Sequence, residues 1–273
     1  MAWAVEMITA ANTGAITARA DALAADDPSG ALRNFRSYAN QAAASTNVDA
    51  EKIRCFDESD AILDARGFSI WQEGGDRAAG LSAFQKRQGG WFSRRLAFEA
   101  LWIGGDSFRY FALNAGGLGT QGRFGQFCLL VTQVADRGRI SAIFPGDSLQ
   151  RYTTPSAAVD SARVEREAAA WPVRGAVAVV ERGSEALTVH EAGWFEVVCR
   201  PDRYLETVVG PPLPLFDVDE VRLPASYLDR LDEYDQRDFA GETLEEDQAN
   251  ELRAFRSLQR WRRTHGLVIT GLR

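Results

Sequence analysis

The sequence has few of the residues that most often build catalytic or metal sites. Its 273 residues include two histidines (His190 and His265), three cysteines and two lysines. A structural zinc site needs four cysteine or histidine ligands at clustered spacings, and these residues lie far apart without a CxxC pair. The sequence therefore predicts no metal site. Schiff-base chemistry would depend on Lys52 or Lys86, and a catalytic triad would have only the two histidines as candidate bases.

Long apolar runs are also missing. The longest dense runs, Phe127–Val131 and Ala176–Val180, have the length of strands and fall well below the ~18 apolar residues that predict a membrane span. The beginning of the chain has no basic leader and carries Glu6, which argues against a secretory signal. An odd number of widely spaced cysteines favours reduced thiols. We therefore expect a soluble cytoplasmic protein without membrane contact.

Arginine, in contrast, is abundant. It supplies 29 of the 31 basic residues, although the net charge is −7. With the many alanines and glycines, this bias indicates the codon usage of a GC-rich bacterial genome; selection for planar, bidentate guanidinium contacts is the alternative. The acidic balance argues against a general nucleic-acid binder, which needs a basic footprint. A local basic face on the last helix, with Arg256, Arg260 and Arg263, could still contact nucleic acid.

The order of helix and strand signals predicts an α+β fold. Residues 1–100 have the pattern of a helical region, residues 101–216 that of a strand-rich core, and residues 217–273 that of a C-terminal helical region that could be continuous with the core. We expect a central, mostly antiparallel sheet with an embedded helix and with C-terminal helices packed on it.

Several helices and strands are predicted with definite ends. Ser29 is expected to cap a helix that runs to about Ser45, Asp49 to cap the next helix, and Thr243-x-x-Glu246 to form a capping box for the last one. Thr154-Pro155 is expected to start a helix that runs to about residue 170. The predicted strands are Phe108–Leu113, Phe127–Val134, Ile140–Phe144, Val173–Val180, Leu187–His190, Trp194–Cys199, Val218–Leu223 and, near the end of the sequence, Leu267–Thr270. The proline-rich segment 210–214 is expected to break both kinds of element.

A glycine-rich loop is the first candidate for a ligand site. Gly117, Gly119 and Gly122 match G-x-G-x-x-G after a predicted strand, but a strand follows where a dinucleotide-binding fold needs a phosphate-binding helix. That fold is therefore excluded, and a flexible hairpin loop is the plain alternative. In such a loop a phosphate or carboxylate could be bound. The candidate ligand-binding residues are Asn114, Gly117, Gly119, Arg123 and, from the strand-to-helix segment 144–154, Tyr152.

The order of three short elements resembles the Arg–Ser–Glu class of ADP-ribosyltransferases. Arg109 or Arg123 precedes Tyr152-Thr153-Thr154, and Glu220 precedes an apolar strand. In that family the arginine and the Ser/Thr element hold NAD, and the glutamate stabilises the oxocarbenium-like sugar. The resemblance implies Arg123, Thr153 and Glu220 as catalytic residues and NAD as the cofactor.

Two classes of function stay open. The first is a non-catalytic interaction or regulatory protein with a protein partner and no cofactor; it is favoured by the lack of a complete catalytic motif and by the many arginines and tryptophans, which are enriched at interface hot spots. The second is a nucleotide- or NAD-using enzyme whose site lies between the 114–125 loop, the 144–154 segment and Glu220. The second hypothesis requires Arg123, Tyr152 and Glu220 to converge in space.

Overall fold

The computed structural model describes residues 3–120, 122–131, 140–210 and 213–272. The helices are α1 (Val5–Ala25), α2 (Ala31–Asn40), α3 (Ala50–Ser59), α4 (Ala65–Gln72), α5 (Arg77–Gln88), α6 (Trp91–Glu99), α7 (Ser148–Tyr152), α8 (Ser161–Glu167), α9 (Arg174–Ala186), α10 (Trp194–Val198), α11 (Ala225–Phe239) and α12 (Glu246–His265). The strands are β1 (Ala43–Val48), β2 (Arg109–Asn114), β3 (Phe127–Val131), β4 (Ile140–Phe144), β5 (Glu206–Val209), β6 (Glu220–Pro224) and β7 (Val268–Leu272). None of the helices in these ranges combines the length and the apolar character needed to cross a bilayer.

The described strands form one sheet in the order β4-β5-β2-β1-β3-β6-β7. Neighbouring strands are antiparallel except β6 and β7, which are parallel. The α+β class and the mostly antiparallel sheet are thereby confirmed. All three regions expected from the sequence contribute strands. Ala44 of β1, from the first region, lies between Leu113 of β2 and Val131 of β3 in the middle of the sheet.

The two faces of the sheet are packed differently, because alternate residues of a strand point to opposite sides. On one face, Leu113 and Leu129 join the largest apolar cluster with side chains of α2, α3, α9 and α12. On the other face, Phe144 and Val208 pack with Phe98 of α6 and with Tyr152 of α7. The ring centroids of Phe98 and Phe144 lie 5.6 Å apart in an edge-to-face arrangement, which is a favoured aromatic geometry.

Aspartate side chains begin many of the helices. Asp49, Asp64, Asp76, Asp147 and Asp160 each accept a backbone N–H at the N-terminus of α3, α4, α5, α7 and α8, respectively. Such caps satisfy amide donors that the helix itself leaves free. The cap predicted at Asp49 is confirmed.

Two other predicted caps are wrong in detail. Gly30 takes the N-cap position of α2 in a left-handed conformation (φ 76°), and Asp27 rather than Ser29 reaches into the helix, where its Oδ2 accepts the backbone N–H of residue 32 at 2.8 Å. The capping box of α12 pairs Glu245 with Gln248, two residues later than predicted. The shift leaves Leu244 before the cap, where it packs against the main apolar cluster.

The helix predicted to reach Ser45 is wrong beyond Asn40, because residues 43–48 form β1. Alanine favours helices, so the local signal of this segment was helical. In the folded chain Ala44 is fully buried between two partner strands, where a small side chain fits. Tertiary packing thus overrides the local preference.

Three predicted strands are wrong, namely Val173–Val180, Leu187–His190 and Trp194–Cys199. The first lies in α9 and the third mostly in α10, while the second follows the end of α9. Residues 175–179 of α9 are all buried, because the helix packs against both α1 and α2. A short run of apolar residues without a polar face fits a helix enclosed on all sides as well as it fits a strand.

The helix expected from Thr154 to residue 170 is also wrong. The chain instead forms α7, a bridge between Thr153 and Val159, and then α8, which Asp160 caps. Ala157 adopts a positive φ of 62°, which a continuous helix does not allow. The predicted end of the strand Phe127–Val134 at 132–134, and residues 211–212 of the predicted break, lie outside the described residues.

Candidate functional site

The described ranges contain a cleft of about 670 Å³. Strands β1, β2 and β5 contribute to it, together with α3, α4, the ends of α5 and α6, and two turns at 122–124 and 147–149. Its charged and phenolic lining residues are Lys52, Asp64, Arg87, Arg95, Arg109, Tyr110, Arg123, Asp147, Tyr204 and Glu206. Its aromatic lining residues are Phe56, Phe68, Trp91, Phe108, Phe111 and Phe124.

Arg123, a candidate from the sequence, lies in this cleft. It belongs to a 3-10 turn, Gly122–Phe124, and its guanidinium carbon lies 4.7 Å from the ring centroid of Phe124. The turn is held close to β1 by Gly125, which has a φ of +146°. A Cβ at Gly125 would lie 1.9 Å from the carbonyl oxygen of Val48, so only glycine permits this approach. Arg123 is exposed and forms no ion pair with the described residues.

Arg109 supplies a second guanidinium at the beginning of β2. Its Nε donates to the carbonyl of Ile62 and its Nη1 to the carbonyl of Ser107 at 3.1 Å, which fixes the side chain against the backbone. Burial lowers the pKa of Arg109, and the nearby Asp64 opposes this shift. Among the described residues no carboxylate forms an ion pair with Arg109, and its Nε and Nη1 both donate to backbone carbonyls.

Arg95 differs from these two arginines because a buried carboxylate neutralises it. Glu99 accepts hydrogen bonds from Arg95 Nε at 2.9 Å and from the Tyr110 hydroxyl at 3.1 Å, and it also pairs with Arg66. The Arg95 guanidinium carbon lies 4.5 Å from the ring centroid of Tyr110. This network forms a fixed wall of the cleft.

Two carboxyl groups lie together at another wall. Glu206 of β5 is only 3% exposed, and its Oε1 accepts the backbone N–H of Ser148 at 3.1 Å. Asp147 caps α7 with Oδ1 and accepts the hydroxyl of Tyr204 on Oδ2 at 2.9 Å. Burial, followed by the neighbouring Asp147, raises the pKa of Glu206 well above the usual value of a glutamate. These causes favour a protonated Glu206 beside an Asp147 that accepts hydrogen bonds on both oxygens.

The glycine loop contributes mostly packing and a separate pocket. Asn114, only 2% exposed, accepts the backbone N–H of Gly116 at 2.9 Å and lines a pocket of about 400 Å³ with Glu220 and Arg222. Gly117 accepts the Arg222 guanidinium on its carbonyl at 3.2 Å.

Gly119 is required for close packing. A Cβ there would lie 2.5 Å from Asn47 Oδ1 and 2.9 Å from Cys128 Sγ. The sequence predicts that a strand, and not a phosphate-binding helix, follows this loop. That strand is β3.

The structure does not bring the three residues of the transferase resemblance together. Arg123 lies in the large cleft, whereas Glu220 pairs with Arg222 at 2.9 Å in the smaller pocket. Thr153 is buried and accepts Arg94 Nε at 2.7 Å. Tyr152 is 1% exposed in the aromatic cluster, and its hydroxyl donates to a glutamate of α8. The convergence that the enzyme hypothesis required for Arg123, Tyr152 and Glu220 is therefore absent.

The 114–125 loop and the 144–154 segment both contribute to the large cleft, through Arg123 and Asp147. Glu206 and Tyr204 are not among the residues predicted from the sequence, because no strand was expected at 206–209. The sequence does contain a signal, because Leu205-Glu-Thr-Val-Val places one carboxylate in an apolar run. A carboxylate in a buried strand is costly unless it is paired or protonated, so it marks a candidate site.

Thiol and metal chemistry find little support in the described residues. Cys55, Cys128 and Cys199 are all free and buried, and burial raises the pKa of Cys55 and Cys128 to about 12 and that of Cys199 to about 11. Such thiols are rarely ionised at neutral pH. The parts of the chain that the structure describes hold no group of three or more His, Cys, Asp or Glu side chains placed to bind a metal ion.

The predicted basic face of α12 is largely paired. Arg256 bonds to Asp235 and Asp238, each at 2.7 Å, and Arg260 pairs with Asp57. Arg263 is exposed. Two of the three arginines that were expected to be able to contact nucleic acid therefore already contact carboxylates.

Comparison of the chain with protein families, with curated proteins and with solved structures gave no match.

Proposed function

We propose that the protein binds a small anionic molecule with a planar apolar body, of the nucleotide class, in the large cleft. The observation that carries this proposal is the pair of arginines, Arg109 and Arg123, that line the cleft without a carboxylate partner among the described residues. A guanidinium offers a rigid fork of donors that matches a phosphate or a carboxylate.

The size and lining of the cleft support a small-molecule ligand. Its volume of about 670 Å³ falls within the range of about 300–1,000 Å³ that is usual for ligand pockets. Such pockets have mostly apolar walls with a few fixed polar groups. The backbone-anchored Arg109 and the Glu99 network provide fixed groups of this kind.

The charge of the cleft supports an anionic ligand. Of the five basic side chains that line it, Arg95 pairs with Glu99 and Lys52 pairs with Asp49, whereas the other three form no ion pair in the described part of the chain. One of the three acidic lining residues, Glu206, is the carboxyl whose pKa is raised. The chain as a whole carries a net charge of −7. A local excess of positive charge in a concave site attracts anions even when the net charge of the protein is negative.

Two exposed aromatic side chains support a planar group in the ligand. Trp91 and Phe124 both line the cleft and keep 43% and 44% of their surface exposed. Single exposed aromatic side chains are common on protein surfaces, so the support comes from the position of both rings in the same cleft. Stacking of a base on an aromatic side chain contributes about 1–3 kcal/mol.

A thermal-shift experiment tests the proposal. The ligands are AMP, GMP, CMP, UMP and NAD. Ribose 5-phosphate serves as the compound without a base, and adenosine as the compound without a phosphate. At a ligand concentration about a hundredfold above Kd, bound ligand adds about 2.7 kcal/mol, so Tm should rise by at least about 5 °C for at least one nucleotide.

The matched variants are Arg123→Gln and Arg263→Gln, both at exposed arginines. Arg123→Gln should weaken binding by about tenfold or more, because a hydrogen bond to a charged group contributes about 1.5–3 kcal/mol. Arg263→Gln should leave the shift unchanged, because α12 does not line the cleft. No shift with any of these compounds, or equal shifts for both variants, would contradict the proposal.

The interaction or regulatory role expected from the sequence stays a prediction. The NAD-using alternative is represented in the ligand panel by NAD itself.

A further inference from the structure

Trp91 and Arg94 form a stacked pair at the beginning of α6. Trp91 is the first residue of this helix and Arg94 follows three positions later, a spacing that makes two side chains neighbours on a helix surface. The guanidinium carbon of Arg94 lies 3.9 Å from the centroid of the Trp91 ring. So short a distance is possible only above the face of the ring, because the ring atoms block an approach within the ring plane. One face of the indole is therefore covered by a guanidinium.

The guanidinium of Arg94 is itself fixed to α7. Its Nε donates to the Thr153 hydroxyl at 2.7 Å, and its Nη2 donates to the carbonyls of Leu149 at 2.8 Å and of Thr153 at 3.0 Å. An arginine stacked on an exposed ring usually keeps much of its own freedom, whereas three hydrogen bonds to a neighbouring helix hold this one. The position of the Trp91 ring is thereby tied to α7.

The opposite face of the indole has no such cover. Trp91 lines the large cleft and keeps 43% of its surface exposed, whereas Arg94 does not line the cleft. Within the described ranges, no second aromatic or cationic side chain stacks on the Trp91 ring. The α6 wall of the cleft thus carries a flat ring that is supported on one face and uncovered on the other.

We propose that Trp91 stacks on the base of a purine nucleotide in this cleft, and that Arg94 is a positioning residue that holds the indole ring for this contact. The inference rests on the proposed function, since it specifies the ligand of the same cleft. It places the base at the α6 wall and leaves the phosphate to Arg109 and Arg123.

The other exposed ring of the cleft, Phe124, is less suited to the base. It belongs to the same three-residue turn as Arg123, whose guanidinium carbon lies 4.7 Å from its ring centroid. When Arg123 binds a phosphate, Phe124 therefore lies beside the phosphate. Trp91 lies on a different element, so it is placed to contact a part of the ligand that Arg123 does not hold.

The stacked indole favours a purine for two reasons. It is bicyclic, so a bicyclic base covers more of it than a pyrimidine does, and stacking strength sets the modest base preferences of such sites. In addition, the cation on one face draws π electrons away from the other face. This polarisation favours an electron-rich base there and disfavours a positively charged ring.

Calorimetric titration with AMP, GMP, CMP, UMP and ribose 5-phosphate tests the role of Trp91. In wild type, the gain in affinity over ribose 5-phosphate should be larger for AMP and GMP than for CMP and UMP. Trp91→Leu should weaken binding of AMP and GMP by about tenfold or more and keep ribose 5-phosphate within about twofold of wild type. The matched control is Phe195→Leu, at a ring that is 40% exposed and does not line the cleft, and it should change none of these affinities.

Tryptophan fluorescence measures the stacking itself, because a base stacked on an indole quenches its emission. Among the described lining residues of the cleft, Trp91 is the one tryptophan. AMP should lower the emission of wild type but not that of Trp91→Phe, whose smaller ring keeps part of the affinity. Ribose 5-phosphate should leave both emissions unchanged. Equal quenching of wild type and Trp91→Phe by AMP would overturn the inference.

The role of Arg94 is tested by Arg94→Gln, alone and combined with Trp91→Leu. Arg94→Gln removes the cation from the indole and should weaken AMP binding by about threefold to tenfold, with ribose 5-phosphate unchanged. In the Trp91→Leu background it should have no further effect, because a residue that acts through another loses its effect when that residue is removed. Additive effects of the two substitutions would overturn the positioning role.

The outcomes separate this inference from the proposed function. If AMP binds more tightly than ribose 5-phosphate and Trp91→Leu changes neither affinity, the role of Trp91 is wrong and the proposed function stands. If Trp91→Leu weakens both compounds equally, its effect is structural and the inference fails. Equal gains for AMP and UMP over ribose 5-phosphate would refute the purine preference. If none of the five compounds binds, the proposed function fails and the inference fails with it.

Discussion

Asp57 on α3 connects its helix to α12 through three hydrogen bonds. Its Oδ1 accepts the indole N–H of Trp261 at 2.7 Å, and its Oδ2 accepts the Ser257 hydroxyl at 3.0 Å as well as Arg260. Trp261 and Ser257 are both buried, so water has little access to their donors. At the scale of single residues, the stability of the chain therefore depends on hydrogen-bond donors that one carboxylate satisfies.

Asp57→Ala should lower the free energy of unfolding by about 1–3 kcal/mol, because it leaves the buried Trp261 N–H without an acceptor. The matched control is Asp229→Ala, an exposed aspartate of α11, which should change stability by less than about 0.5 kcal/mol. Urea denaturation of both variants measures the difference. Equal effects of the two substitutions would show that the three hydrogen bonds add nothing measurable.

At the scale of elements, α2 and α9 approach each other closely because of one glycine. A Cβ on Gly175 would lie 2.4 Å from the carbonyl oxygen of Arg36 and 2.4 Å from Asn40 Oδ1. The backbone N–H of Gly175 also donates to Asn40 Oδ1 at 2.9 Å. Since the obstacle is partly backbone, the two helices would have to move apart to admit a side chain.

Gly175→Ala should therefore destabilise the protein by about 1–3 kcal/mol, the usual range for overpacking. Gly14 in α1 has no atom within 4 Å of the corresponding Cβ position. Gly14→Ala should stabilise the protein by about 0.5–1 kcal/mol, because alanine favours a helix interior over glycine. Opposite signs for the same substitution at two helical sites are the expected result, and a stabilising Gly175→Ala would refute the packing argument.

The sequence predicts elements whose signals are local and misses those that packing decides. Asp49 carries its own capping signal, and the cap predicted there is confirmed. β1 contains alanines, which favour a helix, but it forms a strand because it lies between two partner strands. α9 contains valines, which favour a strand, but it forms a helix that is buried among other helices. A single-sequence pattern contains no information on those neighbours.

The candidate site divides in the same way. Arg123 could be selected from the sequence because an arginine in a glycine-rich loop is conspicuous. Glu206 and Asp147 become neighbours only through the pairing of β4 with β5, which places residue 144 opposite residue 206. Thr153 and Glu220 were candidates of the same kind as Arg123 in the sequence. In the fold Thr153 is buried, and Glu220 lines a different pocket.

At the scale of the whole molecule, segments from the beginning, middle and end of the chain form adjacent strands. Leu129 of β3 pairs with Val221 of β6 on one side and with Thr46 of β1 on the other. The largest apolar cluster contains residues of all these segments. Unfolding of any one of these segments therefore exposes apolar side chains of the others to water.

We therefore predict one cooperative unfolding transition, with a calorimetric enthalpy equal to the van't Hoff enthalpy. Differential scanning calorimetry of the full chain checks this. Two separate transitions, or a stable fragment that ends near residue 216 after limited proteolysis, would contradict the single shared core.

Binding of an anionic ligand between Arg109 and Arg123 in the large cleft can be observed by NMR of the arginine side chains. The Nε–Hε resonances are followed while AMP, and separately ribose 5-phosphate, is added to the full chain. If the phosphate lies between these two arginines, the resonances of Arg109 and Arg123 shift with both compounds, and that of Arg263 does not. Shifts at Arg222 in the smaller pocket, with Arg109 and Arg123 unmoved, would contradict it, as would no shift at all.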